Sequence, residues 1–193
     1  MIDRIYQVGV GPCPVVLGLR LRPLTVGHAL LLHRLDSPFV SGGPVDLPAL
    51  MEAVLVCSLP VEGALDALGS RWRNLVTKRW LRKIRKLDIH RDRDVFHEWL
   101  SGQFGRVECW AKSDGRAPVM PGVERLLASL CGDLGQSVDR ALDLPLLAAS
   151  RLMLAHAEAH GLVEPVSEVE QDLIEYAKAH PIDLSRIPNL HAN

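Results

Sequence analysis

The chain has 193 residues, 48% of them apolar and 23% charged, with a formal net charge of −1. A globule of this length buries about 70% of the surface its unfolded chain exposes, so no disulfide or metal is needed to hold it together. The composition excludes a chain disordered over most of its length, and apolar runs such as Ala29 to Leu32 and Ala53 to Cys57 fall far short of the ~20 residues that cross a bilayer.

The first 24 residues differ from the rest. Val8 to Pro14 is punctuated by Gly and Pro, and Val15 to Arg22 ends in alternating Leu and Arg, which predicts a short extended piece or hairpin stopped by Pro23. Met1, with Asp3 and Arg4 close behind it, does not introduce a secretory apolar region. Thr25 reads as a helix N-cap, after which Val26, Leu30, Leu31 and Leu35 recur at helical spacing. Asp36-Ser37-Pro38 ends that run, and Ser41-Gly42-Gly43-Pro44 predicts a loop. Asp46 caps the next helix, about residues 47 to 58, with Pro48 tolerated in its first turn. This helix is apolar on nearly every side except at Glu52, which predicts a central place in the core.

Pro60 starts a further helical stretch. From Val61 to about Leu87 the pattern predicts one long helix, or two broken near Gly69-Ser70, and a short helix continues over Asp94 to Leu100. Gly102 to Pro121 reads as a loop or lobe boundary containing Cys109-Trp110. Three helices follow: Val123 to Gly132, with Val123, Leu126, Leu127 and Leu130 on one face; Leu144 to His160, stopped by Gly161; and Ser167 to about Ala179, opened by the capping box Ser167-x-x-Glu170. Ser137 to Leu142 forms an extra turn before Asp143 and Pro145, and the tail from Pro181 to Asn193 is irregular. The expected fold is mainly α, a helical bundle of about six to eight helices with a short extended or β-hairpin N-terminal segment. It forms a single helical domain over 1–193, divisible into an N-terminal lobe 1–112 and a C-terminal lobe 117–180, followed by the tail 181–193.

Residues 71 to 86 carry eight of the 22 basic residues and no acidic one. Helical spacing sets Trp72, Val76, Trp80, Ile84 and Leu87 near one stripe, with Lys78, Arg82 and Arg85 on the far side. The expected partner-binding residues are Lys78, Arg82, Arg85 and Lys86. A nucleic acid would also meet Arg79 and Lys83 and would displace counterions, but the tryptophans lie on the core side rather than among the charges, where base stacking needs them. A third destination is internal. Residues 117 to 193 hold 11 acidic against 5 basic residues, and residues 1 to 116 hold 12 against 17, so the halves are opposite in sign and Glu168, Glu170, Asp172 or Glu175 could answer the basic arc.

No catalytic residue and no cofactor is expected. His156 and His160 are four apart on a helix, yet Glu158 falls on another side and no third ligand stands out, so a pair on the face with Leu152 is expected instead of a metal site. His28 and His33, five apart, do not share a face. Ser37, Ser41 and Ser58 lack the Gly-x-Ser-x-Gly setting of an activated nucleophile, and Val8-Gly9-Val10-Gly11 lacks the third Gly and the Lys of a phosphate loop. Cys13, Cys57, Cys109 and Cys131 form no Cys-x-x-Cys pair, which predicts free thiols in a reducing, cytoplasmic setting.

Two passages carry a family resemblance. Leu19-Arg20-Leu21-Arg22-Pro23-Leu24-Thr25-Val26-Gly27-His28-Ala29-Leu30-Leu31-Leu32 is followed by Ser37-Pro38-Phe39; Pro118-Val119-Met120-Pro121 leads a Leu helix before Asp143-Leu144-Pro145-Leu146-Leu147-Ala148 and Ala157-Glu158-Ala159-His160-Gly161. Over roughly half its length the chain thereby resembles the tail assembly chaperones of tailed bacteriophages. The resemblance implies a helical, non-enzymatic accessory protein of the bacterial host cytoplasm. Such a protein shields the hydrophobic helices of the tape measure protein and assists tail assembly without entering the particle. The basic middle helix and Cys109-Trp110 depart from that pattern; a head-to-tail connector or a DNA-contacting phage protein would account for the basic helix.

Overall fold

A computed structural model describes residues 13–69, 80–84, 87–104, 109–111, 122–166 and 168–180. The protein is mainly helical, with a short antiparallel hairpin at the start of the described chain. Its contacts divide it into two compact units, one of Met1–Gly105 with Arg116–His156 and one of Arg106–Gly115 with Ala157–Asn193. The stretch expected to form a C-terminal lobe over 117–180 is therefore shared between them.

The first unit begins with the hairpin. Strand β1 (Val15–Val16) pairs antiparallel with β2 (Leu19–Arg20), Val15 opposite Arg20 and Val16 opposite Leu19. Alternation puts Val16 fully inside and leaves Val15 and Arg20 on the outer face. Helix α1 (Val26–Arg34) is capped by the Thr25 hydroxyl, as its position predicts, and ends in a six-residue loop-back in which the Ser37 N–H donates to the Leu32 carbonyl. Asp36, with φ 51°, takes the left-handed position that glycine usually fills. A single-turn helix, α2 (Pro38–Ser41), follows where the sequence suggested only a helix stop.

Helix α3 (Leu47–Ser58) starts at Asp46, whose carboxylate accepts the Ala49 N–H at 2.8 Å. It buries Leu50, Met51, Ala53, Val54, Val56 and Cys57, the central role expected of it. Helix α1 is equally central, burying Val26 to Ala29 as well as Leu31 and Leu32, and it packs against α2, α3, α6 (Gly122–Gly132) and α7 (Val138–Asp143). Helix α4 (Val61–Gly69) leans on α3, and residues 80–84 are helical. Helix α5 (Ile89–Gln103) is longer than the Asp94–Leu100 expected, because Asp88 supplies the N-cap, accepting the Arg91 N–H, and the charged run His90 to Asp94 forms the helix's first turn. Its inner face, Phe96, Trp99, Leu100 and Gln103, repeats at three and four residues.

Helix α8 (Leu146–Ala159) is tied to the start of α1 by an isolated bridge. The Val26 N–H donates to the Leu144 carbonyl and the Leu146 N–H to the Leu24 carbonyl at 2.7 Å, pairing Thr25 with Pro145. Close approach at this junction depends on Gly27. A Cβ there would stand 2.8 Å from Val61 Cγ2 and 3.1 Å from the Leu142 carbonyl oxygen, and the latter is backbone that cannot step aside. Gly27→Ala is expected to cost about 1–2 kcal/mol, read as a lowered urea midpoint with unchanged slope. An unchanged midpoint would show that the junction is looser than this geometry.

In the second unit β3 (Cys109–Ala111) pairs antiparallel with β4 (Val163–Pro165), Trp110 opposite Glu164. This replaces the loop expected around Cys109-Trp110. The partner strand lies more than fifty residues downstream, and local composition carries no trace of such a pairing. Helix α9 (Glu168–Ala179) matches the expected last helix; its predicted cap, Ser167, lies outside the described residues, as does the tail from Pro181.

Candidate functional site

The basic segment is described over residues 80–84, together with Leu87. Lys78, Arg85 and Lys86, three of the four residues expected to meet a partner, lie outside the described residues, as do Trp72 and Val76. The fourth, Arg82, is exposed, and so is Lys83. Ile84 is buried and Trp80 half-buried, so the division into a core stripe and a charged outer face holds over this turn. Leu87, placed on the stripe by helical spacing, is instead 39% exposed, because the helix has ended and the Leu87 N–H turns back to the Ile84 carbonyl.

What positions this face is a polar clamp on the hairpin turn. Leu17 and Gly18 both have positive φ, 49° and 76°, the combination a two-residue I′ turn demands. Leucine is a costly residue for that conformation, yet its side chain is 1% exposed. Both of its peptide groups are engaged: its N–H donates to Asp92 Oδ2 at 2.7 Å, and its carbonyl accepts Trp80 Nε1–H at 2.9 Å. Asp92 comes from α5 and Trp80 from the basic segment, so one strained turn joins three parts of the first unit. The sequence identified Trp80 as a core residue but gave no sign of its bond to Leu17. Nor did it single out Asp92, one of five charged residues on α5.

A second polar knot sits at the head of α1. The His28 ring is buried; its Nδ1 faces the Thr25 N–H at 3.3 Å and the Thr25 hydroxyl at 3.0 Å, and its Nε2 lies 2.8 Å from the Leu59 carbonyl oxygen. A carbonyl can only accept, so Nε2 carries the proton and Nδ1 is the acceptor that completes a capping box with Thr25. Burial pushes the His28 pKa down, the Leu59 bond opposes this, Arg22 adds to it, and Asp143 and Glu62 oppose it. The result is a neutral structural imidazole.

Two of the three candidate serines have structural partners. Ser41 Oγ donates to the Ser37 carbonyl and Ser58 Oγ to the Leu55 carbonyl, each at 3.0 Å, as helical serines do. Ser37 is buried, and its hydroxyl finds no partner among the described residues. His156 is half-buried and His160 exposed just beyond α8, while Leu152, expected to share their face, is exposed. Among the described residues no group of three or more His, Cys, Asp and Glu is placed to hold a metal ion. Cys57 and Cys131 are free thiols, and burial pushes Cys57 well above the usual thiol range, which makes it inert. No helix among the described residues is long and apolar enough to cross a membrane.

Comparison with protein-family models, with curated proteins and with solved structures finds no match to this chain.

Proposed function

We propose that the protein is a non-enzymatic accessory protein that binds a helical protein client, acting as a tail assembly chaperone of a phage or prophage in the bacterial cytoplasm. The observation that carries the binding role is the helical turn at residues 80–84, where Trp80 and Ile84 are held inward while Arg82 and Lys83 face out. A charged face on a helix whose register is locked by a hydrogen bond is a prepared surface, since little backbone order remains to be lost on binding. The resemblance of Leu19 to Leu32 and Asp143 to Gly161 to tail assembly chaperones supports a tape measure protein as client. In this reading apolar helices of the client are held out of water while charged faces limit the contact to the right partner.

Solvent-facing Arg82 and Lys83 also favour one alternative, a nucleic-acid-binding module or head-to-tail connector. The two are separated by an association experiment with duplex DNA and with the hydrophobic helical segment of a tape measure protein. The expected result is suppression of client aggregation, weakened by Arg82→Glu with Lys83→Glu, and no duplex binding at low ionic strength. Tight DNA binding that declines steeply with salt would replace the chaperone reading with the nucleic acid one.

A further inference from the structure

His28 stands where three parts of the first unit meet. Its Nε2–H donates to the Leu59 carbonyl, between α3 and α4, and its Nδ1 accepts the Thr25 N–H just ahead of α1. Thr25 is also the residue through which the start of α8 is held. The peptide groups on either side of it make the bridge to Pro145: the Val26 N–H donates to the Leu144 carbonyl at 3.0 Å, and the Leu146 N–H to the Leu24 carbonyl at 2.7 Å. One imidazole therefore fixes the stretch of backbone to which the α7–α8 connection is tied. The ring is 2% exposed, and the charged groups whose fields reach it are Arg22, just past β2, Glu62, in the first turn of α4, and Asp143, the last residue of α7.

A proton acts on the two sides of this ring unequally. Nε2 already carries a hydrogen, so the bond to Leu59 survives protonation. Nδ1, by contrast, changes from acceptor to donor. The Thr25 hydroxyl, 3.0 Å away, can turn and accept the new N–H, but the Thr25 backbone N–H can only donate and loses its partner. Burial resists the charge most, the Leu59 bond favours it, Arg22 resists it, and Asp143 and Glu62 favour it, so the proton is taken up below the ordinary histidine range and two carboxylates help to hold it there. We infer that His28 is an acid-operated latch: a proton on Nδ1 frees the Thr25 backbone and with it the bridge to Pro145, so that the α7–α8 connection opens at the head of α1 while α3 stays folded. The charge change falls on one atom, and the element it biases is a pair of hydrogen bonds flanking a single residue. This inference is independent of the chaperone reading.

Hydrogen exchange and imidazole NMR of the full chain, followed from pH 8 to pH 5, test it. Protection of the Val26 and Leu146 amides, corrected for the intrinsic exchange rate, should fall by about tenfold between pH 7 and pH 5. It should also stay below that of Val54, in the middle of α3, which exchanges when the unit opens as a whole. The His28 Nε2–H resonance should persist throughout, still bonded to Leu59. His28→Gln keeps an acceptor for Thr25 and cannot gain a proton, so in that variant both amides should hold their protection over the same range. Val26 and Leu146 amides indifferent to pH in the wild type would overturn the inference. So would loss of Val54 protection to the same level at the same pH, or loss of the Leu59 bond together with the bridge, since either means that acid opens the unit as a whole. A pH response that survives in His28→Gln overturns it as well, by moving the cause to Asp143 or Glu62.

Discussion

Replacing His28 by alanine is expected to lower stability by about 3 kcal/mol, a drop of about 10 °C in Tm for a chain of this size. The loss has two parts. Removing the ring leaves the Leu59 carbonyl and the Thr25 N–H without partners in a buried place, and it opens a cavity beneath α1, the helix that most of the first unit packs against. Gln at this position keeps an acceptor for the Thr25 N–H, as in the commoner capping box, and should recover part of the loss. The same geometry predicts a pH dependence. Protonating Nδ1 would aim a new N–H at the Thr25 N–H, donor against donor, and burial already holds the folded-state pKa below the unfolded value of about 6.5. Because the folded state prefers the neutral ring, its contribution is complete above that unfolded value and is lost as the pH falls from there toward the folded one. Thermal unfolding followed from pH 8 to pH 5 should therefore show wild type losing stability below about pH 6.5, with that increment absent in His28→Gln. Equal slopes in both proteins would mean that the ring is not held neutral as described.

What the sequence disclosed follows from how far apart in the chain each feature's causes lie. Thr25, Asp46 and the apolar spacing behind them are local, and the helices they start appear where they were expected. The hairpin was legible as Leu and Arg alternating before Pro23, although its turn contains Leu17 where Asn or Gly would have marked it. The β3–β4 pair was not legible, because two three-residue strands separated by a helical domain leave no periodicity to detect. His28 was read only as one of several scattered histidines; its role depends on Leu59, thirty-one residues away, arriving beside it. Gly27 and Thr25, quoted as part of a family-like helix entry, have physical reasons to be what they are: one permits the approach of Val61 and Leu142, the other caps α1. Such reasons would place the same residues in any chain with this junction. Burial was the other hidden quantity. The capping pattern placed α9 but could not show that Leu173 and Tyr176 remain exposed.

Asp92→Ala is the second large effect, expected at about 2–3 kcal/mol. Without the carboxylate the Leu17 N–H is left buried and unpaired, which costs about 1–3 kcal/mol for a charge-assisted bond, and α5 loses an anion in its first turn. Leu17 would then hold a left-handed conformation with only its carbonyl engaged, and strain of this kind persists only while its surroundings over-determine it. The turn should relax, and Trp80, whose indole N–H is bonded to that same carbonyl, should move with it. Asp92→Asn keeps an oxygen acceptor and removes the charge, so it should cost about 1 kcal/mol and leave the turn in place. Hydrogen exchange gives the decisive readout: protection of the Trp80 indole N–H should fall in Asp92→Ala and survive in Asp92→Asn. If Trp80 stays protected in both, the clamp does not couple the hairpin to the basic face, and Arg82 and Lys83 owe their position to Ile84 alone. If protection falls as expected, then Asp92→Ala should also weaken client binding even though Asp92 belongs to a different helix, because the charged face would no longer be presented in one register.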